Sequence, residues 1–404
     1  MVRLPSALRA LALEYYARNL TIFAPKQAQN LIPLPGSGKV DKLPIIAVTM
    51  GDVCGIGPEV VARSIQSLRI RKVCQPVIVG AAAFLDQVSR TWPDVRAPSC
   101  VRLSGMPETR QQLEEAIRDA GDGVICLEKD SPVPEEAVLG RVSAGAGNAA
   151  YHWLVNACRM AQVGIVDAIA TAPLNKESLH AAGHNYPGHT EILAAECGVT
   201  DFGMMLHLPE SGLRPLRHAI LKTRQKDTKG HGLSIVHVTL HTSVASIPGL
   251  LSTQMISEKI HLLDEFLSRV GCERRAIGVA ALNPHGGEHG LFGDEESRLI
   301  EPAVEECAAG VCVQGPLPVD TLIRRAVSGE FDGLVAMYHD QGHIPVKLLG
   351  FDAAINITLG LPIIRSSPTH GTAFDRAWNT ATPSDSSGME EAILMATRLT
   401  QRVC

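Results

Sequence analysis

Short apolar runs rich in β-branched residues recur along this 404-residue chain, starting at Pro44, Pro76, Ala168, Ser234, Ala276 and Gly333, and turn-forming residues bound them. Apolar runs of this length without polar alternation mark strands covered on both faces, the situation in a parallel sheet with helices packed on either side. Stretches such as Asn148 to Gln162 and Thr253 to Val270 have the periodicity of those helices. The chain therefore reads as α/β with largely parallel sheets. A hydrophobic content of 45% is ample for a large core. The net charge of -5, with no run rich in Lys or Arg, gives no field for holding a nucleic-acid backbone. No apolar stretch is long enough to span a bilayer. The 10 cysteines contain no Cys-x-x-Cys pair and several sit inside apolar runs, as Cys126 and Cys158 do. This is the usage of buried thiols in a reducing compartment, so the reading is cytoplasmic.

Residues 1–43 precede the first strand and carry Arg3, Arg9, Arg18 and Lys26 against the single acid Glu14. They read as an N-terminal extension, either poorly ordered or a mitochondrial targeting segment. Residues 44–404 form the folded unit. Leu221 to Gly232 is a polar, cationic interruption between two apolar segments and reads as a surface excursion.

The chemistry-bearing residues follow the strands. His241, His285 and His339 each lie just beyond a predicted strand, and in a parallel sheet the carboxyl ends share one edge, where ligands bind. Three imidazoles arriving there could hold a divalent ion and leave positions open for a substrate. Any one of them alone is an ordinary histidine; the coincidence carries the reading. The loop Gly51 to Glu59 places three glycines between strand and helix, a geometry that lets backbone N–H groups meet an anion and equally serves as a tight turn. Gly145-Ala-Gly147-Asn-Ala-Ala150 fits a loose dinucleotide fingerprint but follows no buried strand, so it reads as a helix start. Thr171 to Lys176 and Gly188-His189-Thr190-Glu191 are rich in donors suited to an oxyanion. Lys347, Asn356 and Arg365 lie in a largely apolar stretch, where a cation needs a partner; a phosphate would serve, as would Asp340 or Asp352.

Together these segments resemble the 4-hydroxythreonine-4-phosphate dehydrogenase family from about Pro44 to Asp375. The likeness is carried by Gly-Ile-Gly-Pro-Glu59, Thr-Ala-Pro-Leu-Asn-Lys176, Gly-His-Thr-Glu191, Leu-Asn-Pro-His285, Met-Tyr-His-Asp-Gln-Gly342 and Asn-Ile-Thr-Leu-Gly-Leu-Pro362. The resemblance implies a two-domain fold like that of isocitrate and isopropylmalate dehydrogenases, with two interleaved α/β subdomains and a cleft between them. It implies a homodimer with a shared active site, and NAD or NADP bound without a Rossmann motif. One divalent ion (Zn, Mg, Mn or Co) is implied on His241, His285 and His339, and those histidines with Lys347 form the implied catalytic set. His189, Thr190, Lys347, Asn356 and Arg365 are implied to bind a small phosphorylated substrate. The implied reaction is oxidation and decarboxylation of that substrate. His343 is similar to the branch acting on 4-phosphorylated threonate or erythronate rather than the one serving vitamin B6 synthesis. The sequence departs from the family at Val53-Cys54 and in Arg376-Ala-Trp-Asn-Thr-Ala-Thr382. A metal-dependent phosphatase or a non-catalytic metabolite-binding homologue are the competing readings.

Overall fold

In a computed structural model, all five residues of Ile45–Thr49 are buried, as a strand covered on both faces requires. The structure describes residues 43–95, 99–103, 105–128, 139–213 and 230–401. The N-terminal extension and most of the 221–232 interruption therefore lie outside the described residues. Among the described residues, the strands are β1 Ile45–Thr49, β2 Gln75–Val79, β3 Cys100–Leu103, β4 Val124–Leu127, β5 Ala168–Thr171, β6 Gly203–Leu208, β7 Leu233–His237, β8 Ile277–Ala280, β9 Val313–Leu317, β10 Gly333–Ala336, β11 Ile355–Leu359 and β12 Arg365–Pro368.

They form one 12-stranded sheet in the order β3-β4-β2-β1-β5-β12-β11-β6-β7-β10-β8-β9. Strands β3 to β12 along that order are parallel, and so are β7, β10, β8 and β9. Between them the pairs β12–β11, β11–β6 and β6–β7 are antiparallel. Three reversals make the two parallel blocks run in opposite senses, so their carboxyl ends face opposite edges of the sheet. The expectation of one common edge therefore holds within each block and not across the sheet. His241, His285 and His339 all follow strands of the second block, and β10 pairs with both β7 and β8.

The core follows the same division. One apolar cluster surrounds β1, β2, β4 and β5, with Ile46, Val48, Val77 and Ile169 fully buried in it. Two more cover the faces of the second block: one includes Val236, Val335 and Phe266, and the other includes Ile235, Leu334 and Val346. The chain leaves the first block after the helix His189–Cys197 and returns to it with β12 and the helix Ser387–Thr400. Gly145 and Gly147 lie inside the helix Ala144–Gln162, whose N-cap Ser143 accepts from Ala146 N–H, so this segment starts a helix as its sequence indicates. No described helix is long and apolar enough to cross a membrane.

Candidate active site

Sheet register builds the first part of the site. In the β11–β12 pair Asn356 lies opposite Ser367, which leaves Thr358 beside Arg365, and β12 aligns Arg365 with Ile169 on β5. Side chains alternate across a strand, so Asn356, Thr358, Arg365 and Thr171 share one face. Arg365 is only 2% exposed. Its guanidinium donates to Thr171 Oγ1 at 2.8 and 3.2 Å and to Thr358 Oγ1 at 3.2 Å. These partners are neutral hydroxyls. Asp340, one candidate partner from the sequence, is instead bonded through Oδ1 to His339 Nδ1 at 2.7 Å. A buried cation without a charged contact is costly, and burial depresses its pKa to about 10, partly offset by the field of Glu191. The arginine nevertheless stays charged at neutral pH. Asn356 Oδ1 is also buried without a partner among the described residues.

His189 and Thr190 open the helix His189–Cys197 beside this cluster. Burial, with Arg365 nearby, holds the His189 imidazole well below its ordinary pKa, against a hydrogen bond to the backbone of Ala172. It is therefore neutral. Thr190 is buried. Lys176 and Glu191 flank Gly188, and both act electrostatically on His241.

The second part is a histidine group where the helix His339–Gly350 lies on β7. Gly342 makes this approach possible, since a Cβ there would run into His237 Nε2 and Ile235. The His339 and His343 rings stack at 3.6 Å, as residues four apart on one helix face do. His343 Nδ1 lies 3.2 Å from His237 Nε2, and the His241 and His339 ring centroids are 5.8 Å apart. Burial, reinforced by neighbouring imidazoles, lowers His237 to about 4 and His343 to about 3. Burial, then Lys176 and His339, also lower His241. Lys347 continues the stripe of His339 and His343 along the helix, exposed, and its charge reaches His343.

His285 stands apart on a loop of unusual backbone. His285, Glu288 and His289 all have positive φ, at 54°, 44° and 58°, together with Gly286 and Gly287. Such conformations cost about 1–3 kcal/mol each for non-glycine residues and persist where surrounding structure enforces them. Here buried Glu296 accepts from the backbone N–H groups of Leu282 and Asn283 at 2.8 and 2.7 Å and clamps the Asn283 side chain. His285 itself is exposed, with Nδ1 2.9 Å from Glu288 Oε1. Among the described residues no three His, Cys, Asp or Glu side chains come close enough to hold a metal ion. The chain thus pairs His241 with His339 and keeps His285 on a separate loop. The donors still fit a divalent ion in kind, because they follow three adjacent parallel strands and the His241 imidazole is unprotonated at neutral pH.

Much of the glycine loop is held by its own hydrogen bonds, with Asp52 N–H donating to Pro173 O, Gly55 N–H to Asp52 O and Ile56 N–H to Thr372 O. Cys54 N–H donates to Asp52 Oδ1 at 2.9 Å. These bonds make the segment a tight turn. The two departures from the family pattern touch each other: Trp378 Nε1 donates to Val53 O at 3.1 Å, and its ring packs on Trp92 with centroids 5.6 Å apart.

The chain matches the family described as pyridoxal phosphate biosynthetic protein PdxA over residues 72–396. It belongs to that family. It is 40% identical to a D-threonate 4-phosphate dehydrogenase of Salmonella typhimurium, over 87% of this chain and 98% of the relative. Its identity to a 4-hydroxythreonine-4-phosphate dehydrogenase of Desulfosudis oleivorans is 38%, over 83% and 90%. Among solved structures, the 4-hydroxythreonine-4-phosphate dehydrogenase of Klebsiella pneumoniae superposes with a TM-score of 0.70 at 39% identity, over 89% of this chain and 100% of the other. The chain is therefore a dehydrogenase of the PdxA type. The sequence points to Arg365, Asn356, His189, His241 and the donor-rich segment that opens at Thr171, and the structure adds Thr358, His237 and Glu296. His237 could have been found as a fourth histidine at the same strand end. Glu296 carries no local signal, because its role is to hold a loop that begins 14 residues earlier.

Proposed function

We propose that this dehydrogenase oxidises and decarboxylates a 4-phosphorylated four-carbon hydroxy acid, 4-phospho-D-threonate or D-erythronate in preference to 4-hydroxythreonine-4-phosphate, with NAD or NADP and one divalent ion. The observation that carries it is the buried Arg365 guanidinium, whose hydrogen bonds among the described residues go to threonine hydroxyls. A phosphate dianion is the partner such a group lacks. Arg365 and Lys347 bind the phosphate, Asn356 accepts from a substrate hydroxyl, and neutral His189 with Thr190 orients the chain of the acid. His241, His285 and His339 offer ring nitrogens to the ion. When bound, the ion stabilises negative charge on substrate oxygen and the nicotinamide accepts hydride. Family membership supports the reaction class, and His343 supports the sugar-acid branch.

Exposed apolar side chains gather on the segments that follow the histidine strands: Val244 and Leu250 after β7, Leu291 and Phe292 after β8, and Ile344 and Leu348 after β10. This supports a homodimer that covers the histidine edge and shares the site. The free, mostly buried cysteines support a cytoplasmic location. The test is nicotinamide absorbance with metal-loaded protein and a panel of phosphorylated four-carbon acids, with inorganic phosphate followed in parallel. Reduction with 4-phospho-D-threonate is expected, by a protein that sediments as a dimer. Phosphate release without nicotinamide reduction would make it a hydrolase and overturn the reading.

A further inference from the structure

The helices Ala144–Gln162 and His189–Cys197 pack together, and where they meet the sulfurs of Cys158 and Cys197 lie 3.7 Å apart. Cys158 is fully buried, whereas Cys197 is half-buried and lines a cleft of about 500 Å³. The cleft runs between the helix Thr253–Arg269 and the loop Gly360–Ile364, with Leu262, Phe266 and Leu361 on its walls. A small oxidant can therefore reach one sulfur and not the other. The second thiol sits within reach of the first without any rearrangement of the fold.

We propose that Cys158 and Cys197 are a modification site: a hydroperoxide oxidises the pair to a disulfide that shifts the helix carrying His189 and Thr190. The Cys197 thiolate attacks the peroxide oxygen, the O–O bond breaks, and a sulfenic acid forms on Cys197 as hydroxide leaves and is protonated. The Cys158 sulfur then displaces the sulfenic hydroxyl as water. Hydrogen peroxide is reduced to two waters, and two thiols are oxidised to one S–S bond. The order follows from the environment. Burial raises both thiols, but Cys158 is additionally raised by Cys197, while its hydrogen bond favours the Cys197 thiolate.

Closing the gap from 3.7 Å to a bond of about 2.05 Å takes over an ångström of movement, shared between the two side-chain torsions and the helices at their contact. His189 and Thr190 open the helix that Cys197 ends. A displacement on the order of 1 Å in a substrate contact is enough to slow turnover strongly. The crosslink is independent of the proposed reaction, while its effect on rate rests on it.

The test treats native protein with hydrogen peroxide, alkylates remaining thiols and maps the peptides by mass. A joined peptide pair containing Cys158 and Cys197, lighter by two hydrogens, is expected, and a dithiol reductant should reverse it. In Cys158→Ser the Cys197 thiol should instead proceed to sulfinic acid. Should that variant fail to fold, Cys197→Ser must abolish the joined peptides. Nicotinamide reduction is expected to fall about tenfold on oxidation and to recover with the dithiol. Sulfinic acid on Cys197 of the wild type without joined peptides overturns the site, and joined peptides with an unchanged rate overturn its control of turnover. A reduced protein inactive on every acid in the panel counts against the proposed reaction alone, because the peptide map still decides the crosslink.

Discussion

The Arg365 cluster and the histidine edge are built on different principles. Around Arg365 the hydrogen bonds come from paired strands: β5, β11 and β12 fix Thr171, Thr358 and Asn356 by register, and the guanidinium is buried before any ligand arrives. The histidine edge depends on segments that follow strands, with His241 and His285 exposed and His285 on a left-handed turn. One region is preorganised within the chain; the other, in the proposed function, is completed by what binds to it. Recognition of the phosphate should therefore be separable from chemistry at the hydroxyl.

The largest effect is expected for His285→Ala, which should lower kcat/KM by at least about a thousandfold through loss of an ion ligand. Because the side chain is exposed, Tm should move by less than about 2 °C. A thermal shift much larger than this, or near-normal turnover, would show that the loop is structural. Next comes Arg365→Met, expected to lose about a hundredfold in kcat/KM, the worth of roughly two charge-assisted hydrogen bonds. Its Tm should hold or rise, since a desolvated cation is replaced by an apolar chain of similar length. Unfolding of Arg365→Met, read by circular dichroism, would recast the arginine as a core element. Thr358→Val keeps the shape and removes one acceptor from Arg365, so a loss of about tenfold, mostly in KM, is anticipated from steady-state kinetics. An unchanged KM would remove Thr358 from the account. The smallest effect concerns separability: a chelator should suppress nicotinamide reduction yet alter inorganic phosphate affinity, measured by calorimetry, by less than about twofold. A large loss of phosphate binding would merge the two regions into one site.

The same contrast explains what was legible in the sequence. Strands β1, β2, β5, β7, β8 and β10 announce themselves as apolar runs because helices cover them on both sides. Strand β12 reads Arg-Ser-Ser-Pro and is buried at every position, yet it has no apolar pattern because its side chains make hydrogen bonds instead of a core. Strand β11 alternates Ile355, Ile357 and Leu359 with Asn356 and Thr358, half core and half site. The polar residues that hide these strands from a hydrophobicity reading include Thr358, which binds Arg365, Asn356 on the same face, and Ser366, which donates to Ala392 O. The reversed sense of the two parallel blocks was also invisible, because strand direction across a sheet is set by contacts far apart in sequence. The histidines stood out individually, but their spacing was decided by loop backbone, with Glu296 fixing the turn before His285.

The central claim is that Arg365 makes phosphate a requirement. The most direct measurement is kcat/KM for 4-phospho-D-threonate against unphosphorylated D-threonate on wild type and Arg365→Met. A preference of at least about a hundredfold for the phosphorylated acid, collapsing in the variant, is predicted. Equal rates on the two acids in the wild type would contradict it.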